Sequence, residues 1–468
     1  MPVKPFSPQQ ALATLAELFD TKDLSLEPEA LTHYGKDWTR VYDPKPLAVV
    51  FPRTTEQVQE LVKTANQQGF RLVPSGGRTG LSGGAMATNQ EVVVSFERMN
   101  RIGEFNATDR TIRCEAGVIT EQLQQAAAEH GLFYPVDFAS AGSSQIGGNI
   151  ATNAGGIKVI RYGLTRDWIA GLKVVTGKGD ILELNNGLVK NATGYDLRHL
   201  FIGSEGTLGF ITEATIRLMR PPQHLAVLVL GVPEFDALMK VSRTFQDQID
   251  LTAFEFFSDR ALAHVTARGD LSKPFATDAP FYALLEFELI SEQTEELVMS
   301  LFEQCVEQGW VLDGVMSQNE TQAANLWRLR EDISETIAEF TPYKNDLSVT
   351  VSKVPEFLNG VNQVVSQGYP DFEIVWYGHI GDGNLHLNIL KPADLEKEAF
   401  FSKCAEVNEV VFELVAKLGG SISAEHGVGL LKKPYLHYSR SPQELEYMRA
   451  MKQVFDPNGV MNPGKIFE

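Results

Sequence analysis

The sequence predicts an α+β protein of two or three domains, and three observations support this prediction. An apolar strand, an amphipathic helix and a second apolar strand lead into the glycine-rich segment at 74–84. Residues 169–184 have the pattern of a β-hairpin around a Thr-Gly-Lys-Gly turn. After Pro221 and Pro222, strands alternate with long amphipathic helices. A chain of 468 residues is long enough for two or three domains that each have a core.

The first elements are predicted from their apolar pattern and from helix-capping residues. Residues 47–51 form a buried strand. Thr54 is the predicted N-cap of the next helix, Gln57 completes a capping box, and Gly69 ends the helix. The other elements predicted in this region are strands at 70–73 and 92–96 and a helix at 120–130.

The domain boundaries follow from changes in this pattern. Pro221 and Pro222 end a strand and start a linker, so the first domain is predicted to span residues 1–222. The strand–helix alternation places a second α+β domain at 223–416. Residues 417–468 are predicted to form a separate C-terminal segment. The clearest elements of the second domain are strands at 225–232 and 281–288 and helices at 235–248 and 294–308.

Composition and charge narrow the class of protein. Apolar residues make up 43% of the chain and charged residues 22%, as in soluble globular proteins. The net charge of −19 disfavours binding to nucleic acid. The three cysteines are far apart, which indicates a reducing compartment rather than a disulfide framework. The sequence has no apolar run long enough for a membrane span and no secretory pattern at its start, so a cytoplasmic protein is expected.

Three glycine-rich segments are the strongest functional signal in the first domain. Residues 74–84 contain five glycines, and related segments occur at 142–156 and 203–209. Glycine lets backbone N–H groups approach a phosphate or pyrophosphate closely. One such loop is as often a flexible surface loop, but three in one domain indicate a long ligand. The first segment matches neither a Rossmann fingerprint nor a P-loop, which disfavours a nicotinamide cofactor.

A second group of chemically active residues lies towards the C-terminus. His379 and His386 flank a glycine turn between two predicted strands, so their imidazoles can face one another. Glu425 and His426 are adjacent and precede a glycine, so both can reach one site. Two imidazoles and one carboxylate are typical of a catalytic metal centre with open positions, and His426 is then available as a base. Each histidine taken alone is more often a hydrogen-bonded core residue.

Cationic side chains suited to an anionic substrate are predicted on two segments. Residues 327–334 are interpreted as the start of a helix on which Arg330 and Ser334 share a face. Lys344 follows in the segment 343–346. An arginine can bind a carboxylate through two parallel hydrogen bonds, although an arginine next to a glutamate is more often part of a solvated ion pair.

These motifs together resemble the FAD-dependent D-2-hydroxyacid dehydrogenases, which are vanillyl-alcohol-oxidase or PCMH-type flavoproteins. The resemblance runs from about Leu31 to the C-terminus and is greatest for the D-2-hydroxyglutarate dehydrogenase branch. It rests on the three glycine-rich segments, the hairpin at 379–388, Ala424-Glu425-His426-Gly427 and Asn462-Pro463-Gly464-Lys465. It implies an α+β fold with a PCMH-type FAD-binding domain, a substrate-binding cap domain and a C-terminal segment that returns to the FAD domain.

The resemblance implies that the glycine-rich segments hold FAD, with residues 74–80 around its pyrophosphate. The implied cofactor-binding residues are Pro74, Ser75, Gly76, Gly77, Arg78, Thr79, Gly80, Ser82, Pro135, Asp137, Ser143, Gly147, Gly148, Asn149, Thr152, Asn153, Gly156, Gly206, Ile211 and Asn462. Asn462 is expected to approach the isoalloxazine ring. Family members with covalent flavin carry a histidine or cysteine in the pyrophosphate loop, where this sequence has Arg78 and Thr79, so non-covalent FAD is expected.

The resemblance also implies roles for the other site residues. The implied ligands of a divalent metal are His379, His386 and Glu425, with zinc favoured over manganese or cobalt, and His426 is the implied catalytic base. The implied substrate-binding residues are Arg330, Ser334, Lys344, Asn388 and His426. Ser334 occupies a position where some members have threonine.

The implied reaction is oxidation of a D-2-hydroxy acid, with D-2-hydroxyglutarate favoured because two cations suit a dicarboxylate. His426 takes the hydroxyl proton while a hydride passes to flavin N5, and the product is the 2-oxo acid. D-lactate, D-malate and glycolate are alternative substrates. A flavin subunit without its own catalysis and a metal-dependent hydrolase are the alternatives from other classes. Relatives imply a homodimer, and electron-transfer flavoprotein or a quinone is the expected electron acceptor.

Overall fold

The computed structural model describes residues 6–39 and 41–467, which form two compact units. The first unit contains the described residues of Met1–Gly155, Leu164–Pro221 and Glu425–Glu468, and the second contains Gly156–Gly163 and Pro222–Ala424. The brief entry of the chain into the second unit after the second glycine-rich segment was not anticipated from the sequence. The final return to the first unit occurs at Glu425, later than the expected position 417.

The first unit begins with a four-stranded sheet. Its elements are α1 (Pro8–Leu18), β1 (Leu24–Ser25), α2 (Pro28–Tyr34), β2 (Ala48–Val50), α3 (Thr55–Gln68), β3 (Leu72–Ser75) and β4 (Val92–Ser95). The strand order is β1-β2-β4-β3, and β2 and β3 are both parallel to β4. Apolar side chains of α1, α3 and the strands form the core next to this sheet.

The predicted strand–helix–strand unit is confirmed, with one correction to its capping. The side chain of Thr54 accepts the N–H of Gln57 at 3.2 Å, and Gly69 ends α3 with a φ of +75° that favours glycine. The Gln57 side chain accepts the N–H of Arg53 at 2.7 Å instead of the N–H of Thr54, so the predicted capping box is not formed. The helix start was nevertheless correct, because the cap alone is sufficient to mark it.

A five-stranded antiparallel sheet forms the rest of the first unit. The elements in this stretch are β5 (Ile102–Asn106), β6 (Thr111–Glu115), α4 (Thr120–Glu129), α5 (Ile146–Thr152), α6 (Val159–Tyr162), α7 (Thr165–Trp168), β7 (Ile169–Thr176), β8 (Ile181–Leu184), α8 (Arg198–Phe201) and β9 (Gly209–Arg217). The strand order is β5-β6-β9-β7-β8. The pair β7–β8 is the hairpin expected from the sequence. Helix α6 lies in the excursion that belongs to the second unit.

The second unit is built on a seven-stranded antiparallel sheet. Its elements are β10 (Leu225–Val232), α9 (Phe235–Gln246), β11 (Leu251–Ser258), α10 (Asp259–Ala267), β12 (Phe281–Glu288), α11 (Glu292–Glu307), β13 (Asp313–Met316), α12 (Glu320–Glu331), α13 (Ile333–Thr336), β14 (Tyr343–Ser348), α14 (Val354–Gly368), β15 (Glu373–Gly378), β16 (Asn384–Leu390) and α15 (Lys397–Lys417). The strand order is β13-β10-β12-β11-β15-β16-β14. The predicted α+β pattern of this region is confirmed.

The interpretation of residues 327–334 as the start of a helix is wrong. Helix α12 begins at Glu320, where the side chain of Asn319 accepts the N–H of Gln322 at 3.0 Å. Arg330 therefore lies in the last turn of α12, and Ser334 lies in the separate short helix α13. Asn319, a residue type favoured at the N-cap, lies upstream of these arginines and marks the true start of the helix.

The C-terminal tail after α16 (Pro442–Phe455) returns to the first sheet of the same unit. Met461 forms a parallel bridge with Leu72 of β3, and the N–H of Asn462 donates to the carbonyl of Leu72 at 2.8 Å. Lys465 is buried and donates from Nζ to the carbonyl of Met86 at 2.6 Å, and burial lowers the pKa of this amine to about 8. Within the described ranges, no helix combines the length and apolar character needed to span a bilayer.

Candidate active site

The glycine-rich segments of the first unit line a cavity that opens to solvent. Predicted cofactor residues in the lining are Pro74, Gly76, Gly77, Arg78, Thr79, Gly80, Ser82, Gly147, Gly148, Asn149, Thr152, Gly206 and Ile211. His426, predicted as the catalytic base, also lines this cavity.

Some predicted cofactor residues are not part of the lining. They are Ser75, Pro135, Asp137, Ser143, Asn153, Gly156 and Asn462. Two of them support the wall: the Oγ of Ser75 donates to the carbonyl of Tyr34 at 3.1 Å, and the Nδ2 of Asn462 donates to the carbonyl of Gly84 at 2.8 Å. Gly156 belongs to the second unit.

The cavity is also lined by residues that the sequence analysis did not select. These are Asp37, Gly84, Ala85, Phe96, Ala116, Gln145, Ala151, Glu205, Gly209 and Phe210. Gln145 and Glu205 lie within the second and third glycine-rich segments, so the same signal could have found them. Asp37 lies in a segment without any motif, and only the fold brings it to the cavity.

The walls of the cavity fit a long polar ligand such as FAD. Apart from the neighbouring residues and the backbone of its own helix, no described atom lies within 4 Å of a Cβ built at Gly148, so the backbone there borders open space. Gly206 has a φ of +72°, and a Cβ there would lie 2.7 Å from Cγ of Pro74. Gln145 Oε1 and Asp37 Oδ2 are buried without a hydrogen-bond partner among the described residues. Close backbone approach and unused polar atoms are the features that a bound cofactor would satisfy.

Gly148→Leu is expected to leave the fold intact and to exclude flavin. The new side chain would project into the cavity instead of colliding with the wall, because only neighbouring residues and the backbone of the same helix lie within 4 Å of the added Cβ. The purified variant should be colourless, with the same thermal midpoint as wild-type apoprotein. Ala128→Leu adds similar bulk on the exposed face of α4 and should retain flavin. Stoichiometric flavin in Gly148→Leu would contradict the assignment of the cavity.

Arg78 places a positive charge in the wall of the cavity. Its backbone has a φ of +61°, and its Nη1 donates to the carbonyl of Gly76 at 2.9 Å. The guanidinium carbon lies 4.8 Å from the ring centroid of Tyr34, whose hydroxyl donates to Glu97 Oε2 at 2.8 Å. Burial lowers the pKa of Arg78, which stays charged because an arginine pKa starts far above neutrality. A charge held in this way complements a pyrophosphate.

Glu205 holds the segment that follows His426. Its carboxylate accepts the N–H of Val428 at 2.7 Å and the N–H of Gly429 at 2.8 Å. Its own carbonyl accepts Nδ2 of Asn462 at 2.6 Å, and its φ is +51°. Burial raises the pKa of Glu205, and the two backbone donors oppose that rise. The carboxylate thereby fixes the backbone next to His426 at the cavity.

In the second unit, the two predicted metal-binding histidines lie next to each other. His379 occupies the turn after β15 and His386 lies on β16, with their ring centroids 5.3 Å apart and both side chains largely buried. His379 Nδ1 is 2.8 Å from Glu255 Oε1. His386 faces Asp346 across the β14–β16 register, and ligand atoms of these two residues lie within 4.8 Å of each other.

In the first unit, Glu425 and His426 form a second pair of ligand-type side chains. Their Oε1 and Nε2 atoms are 3.7 Å apart. Imidazole and carboxylate groups are the donors that zinc, manganese and cobalt accept in proteins. The donor chemistry of these residues therefore fits a divalent metal.

Four of the predicted substrate-binding residues lie in the second unit, namely Arg330, Ser334, Lys344 and Asn388, whereas His426 lies in the first. Lys344 donates from Nζ to Oγ of Ser334 at 2.9 Å, and Lys344 is paired with Asn388 in the β14–β16 register. Arg330 forms an ion pair with Glu255, with Nη2 and Oε2 2.8 Å apart. The structure thus brings Ser334, Lys344 and Asn388 together and places Arg330 beside the glutamate that contacts His379.

Glu255 and Asp346 were missed by sequence reasoning, although each carried a signal. Glu255 is a lone carboxylate within the apolar strand Ala253-Phe254-Glu255-Phe256-Phe257. Asp346 lies two residues after Lys344, so the two side chains share one face of β14.

Comparison with known proteins places the chain in a family. Residues 46–185 match the FAD binding domain model, and residues 221–466 match the model for the C-terminal domain of FAD linked oxidases. D-2-hydroxyglutarate dehydrogenase of Stutzerimonas stutzeri is 66% identical over 97% of this chain and 98% of that protein. The enzyme of the same name from Xanthomonas citri is 56% identical over 95% of this chain and 94% of that protein.

Solved structures support the PCMH-type fold. The 4-ethylphenol oxidase from Gulosibacter chungangensis superposes with a TM-score of 0.78 at 18% identity, covering 100% of this chain and 99% of that chain. p-Cresol methylhydroxylase superposes with a TM-score of 0.75 at 16% identity, covering 99% of this chain and 98% of that chain. The chain belongs to the FAD-linked oxidase family that includes the D-2-hydroxyglutarate dehydrogenases, and it is an FAD-dependent oxidoreductase.

Proposed function

We propose that this protein oxidises D-2-hydroxyglutarate to 2-oxoglutarate with the help of FAD and a divalent metal. The observation that carries the proposal is a pair of cationic side chains in the second unit, each linked to one of the two histidines: Arg330 shares Glu255 with His379, and Lys344 lies two residues before Asp346, which pairs with His386. Arg330 rests on the ring of Tyr377, whose centroid is 5.0 Å from that of His386, and Lys344 precedes Asp346 on β14. Two cations near one reaction centre suit a substrate with two carboxylates.

The metal would be held by His379, His386 and Glu425, with zinc as the first choice for this donor set. Asp346 is close enough to His386 to orient its ring or to act as a further ligand. When bound, FAD supplies the hydride acceptor and the metal supplies Lewis acidity. The residues of the chain would then have to bind the carboxylates, hold the hydroxyl group and accept its proton.

His426 is the proposed proton acceptor. It lines the flavin cavity, and Glu205 fixes the backbone that follows it. A histidine can take a hydroxyl proton only when its imidazole is neutral, and imidazoles are largely neutral near pH 7. The neighbouring position of Glu425 would bring the base and one metal ligand to the same substrate atom.

Lys344 is the proposed anchor for the carboxylate distal to the reacting carbon. Its ammonium is held by Ser334, and Asn388 lies across from it in the sheet. Two residues along a strand span about 7 Å. Lys344 therefore lies about 7 Å along β14 from Asp346, which is opposite His386. A five-carbon dicarboxylate can bridge this separation, whereas D-lactate has no second carboxylate to place there.

Several finer properties belong to the same proposal. FAD would be bound non-covalently, since Arg78 and Thr79 occupy the pyrophosphate loop. A cytoplasmic location is supported by the three cysteines, which are all unpaired and buried. We further propose a homodimer that passes electrons to electron-transfer flavoprotein or a quinone.

An anaerobic titration of wild type and Lys344→Met tests the substrate assignment. D-2-hydroxyglutarate should bleach the wild-type flavin at far lower concentration than D-lactate. Loss of a charged hydrogen bond should weaken the response to D-2-hydroxyglutarate by roughly 10- to 100-fold in Lys344→Met and leave D-lactate nearly unaffected. Lys353→Met removes an exposed lysine that pairs with Glu356 and serves as the control. Equal losses for both acids would contradict the distal-carboxylate role, and no bleaching by any D-acid would contradict the proposed reaction.

A further inference from the structure

A buried glutamate on β11 contacts two residues to which the proposed function gives different tasks. The side chain of Glu255 is only 1% exposed. Its Oε1 is 2.8 Å from Nδ1 of His379, and its Oε2 is 2.8 Å from Nη2 of Arg330. One carboxylate therefore uses one oxygen on a proposed metal ligand and the other on a proposed substrate-binding cation.

The strand pairing and the end of helix α12 explain why Glu255 meets His379 and Arg330. In the β11–β15 register Phe256 pairs with Gly378, so Glu255 lies across from the next residue of the turn, which is His379. Arg330 comes from the last turn of α12, and its guanidinium carbon is 4.6 Å from the ring centroid of Tyr377. A carboxylate at this depth is unfavourable unless charged or donor groups surround it. His379 satisfies Oε1, and the guanidinium of Arg330 contacts Oε2 as an ion pair, although Oε2 accepts no hydrogen bond from the described residues.

The contact determines which nitrogen of His379 can bind a metal. An ionised carboxylate only accepts hydrogen bonds, so Nδ1 of His379 is the donor and Nε2 keeps its lone pair. A histidine that donates to a carboxylate through one nitrogen is the usual arrangement when the other nitrogen binds a metal. Glu255 would thus fix both the tautomer and the orientation of this ring.

The same carboxylate restricts Arg330. That side chain is 5% exposed, and its Nε has no hydrogen-bond partner among the residues that the structure describes. Because Glu255 and the ring of Tyr377 hold the guanidinium, its remaining donors point in fixed directions before any anion binds. A pre-oriented arginine loses less conformational entropy when it binds a carboxylate.

We propose that Glu255 is a positioning residue that orients His379 towards the metal and Arg330 towards a substrate carboxylate. The proposal rests on the proposed function, because it takes the metal and substrate roles of those two residues from it. Its particular consequence is that metal affinity and substrate affinity should fall together when Glu255 is changed. Loss of either partner alone should affect mainly one of them.

Glu255→Gln tests this consequence, because the amide keeps the size of the side chain but replaces one acceptor oxygen with a donor nitrogen. We expect zinc affinity to fall by about 10- to 100-fold. This loss is typical when a carboxylate that accepts a hydrogen bond from a metal-binding histidine is replaced. KM for D-2-hydroxyglutarate should rise by about tenfold or more. Zinc affinity is measured by competition with a chromogenic chelator, so this readout does not depend on turnover.

Glu286→Gln is the matched control. Glu286 is also a buried carboxylate on the same sheet, but its partners are different: it pairs with Lys158 and accepts Trp327 Nε1–H at 2.8 Å. It should lower thermal stability as Glu255→Gln does but leave zinc affinity and KM unchanged. Equal losses of zinc affinity in both variants would mean that general destabilisation is responsible, and this would overturn the positioning role.

His379→Ala separates this proposal from the proposed function. If His379→Ala binds zinc as wild type does, the metal assignment itself is wrong. If His379→Ala loses zinc while Glu255→Gln retains wild-type affinity and KM, only the role of Glu255 is wrong. If Glu255→Gln does not fold, ¹⁵N-histidine NMR of the wild-type protein decides: we expect His379 protonated at Nδ1, and protonation at Nε2 in the metal-free protein would refute the proposal.

Discussion

His386→Ala is expected to lower kcat for D-2-hydroxyglutarate by about 1000-fold and to remove bound metal. His386 is buried on β16 next to the ring of His379, with Asp346 opposite it in the sheet. Alanine removes one of three proposed ligands, and Lewis-acid stabilisation of a developing charge is worth several kcal/mol. About 4 kcal/mol corresponds to roughly 1000-fold in rate. The measurements are kcat and metal content by elemental analysis.

Two controls accompany this prediction. Chelation of the wild-type protein should cause a similar loss, and added zinc should restore activity to wild type but not to His386→Ala. His264→Ala removes a histidine of the same unit that pairs with Glu373 instead, and it should keep both metal and turnover. If His386→Ala turned over normally without metal, the histidine pair would be structural and the proposed chemistry would lack its metal.

The parts of the fold that local sequence determines were predicted well. Helix α3 depends on an N-cap at Thr54, an apolar face and Gly69, and all three lie within one short stretch of chain. His379 and His386 also meet through a local feature, because a tight turn joins the two strands that carry them. The glycine-rich segments likewise predict a close approach of the backbone to a ligand, because this signal lies within each segment.

The parts that depend on long-range pairing could not be read from the sequence. Glu255 meets His379 only because β11 lies beside β15, although 124 residues separate the two side chains. The excursion at 156–163 contacts the second unit through the Lys158–Glu286 ion pair, the packing of Ile157 and the Arg161–Asp250 ion pair, and no local sequence pattern predicts these partners. Periodicity predicts which face of a strand is buried, but strand order decides which polar groups share that face.

His426→Ala is expected to lower kcat by roughly 100-fold or more while flavin content and thermal stability stay near wild type, because general bases contribute at least that factor. The imidazole lines the flavin cavity, and the next residues are fixed by hydrogen bonds from Val428 and Gly429 to Glu205. Those contacts are made by the backbone, so alanine leaves them in place. Stopped-flow measurement of flavin reduction reports the chemical step directly.

The pH dependence of the same variant separates a base from a structural histidine. A base must be neutral, so wild-type kcat/KM should rise with pH on its acid side, and that rise should disappear in His426→Ala. Added imidazole should restore part of the activity to His426→Ala, because alanine leaves space for it, but not to His426→Gln. His437→Ala removes a histidine of the same unit that stacks on Tyr438, and it should keep the wild-type profile. An unchanged acid limb in His426→Ala would assign the proton to another group, and Glu425 would then be the nearest alternative on the same segment.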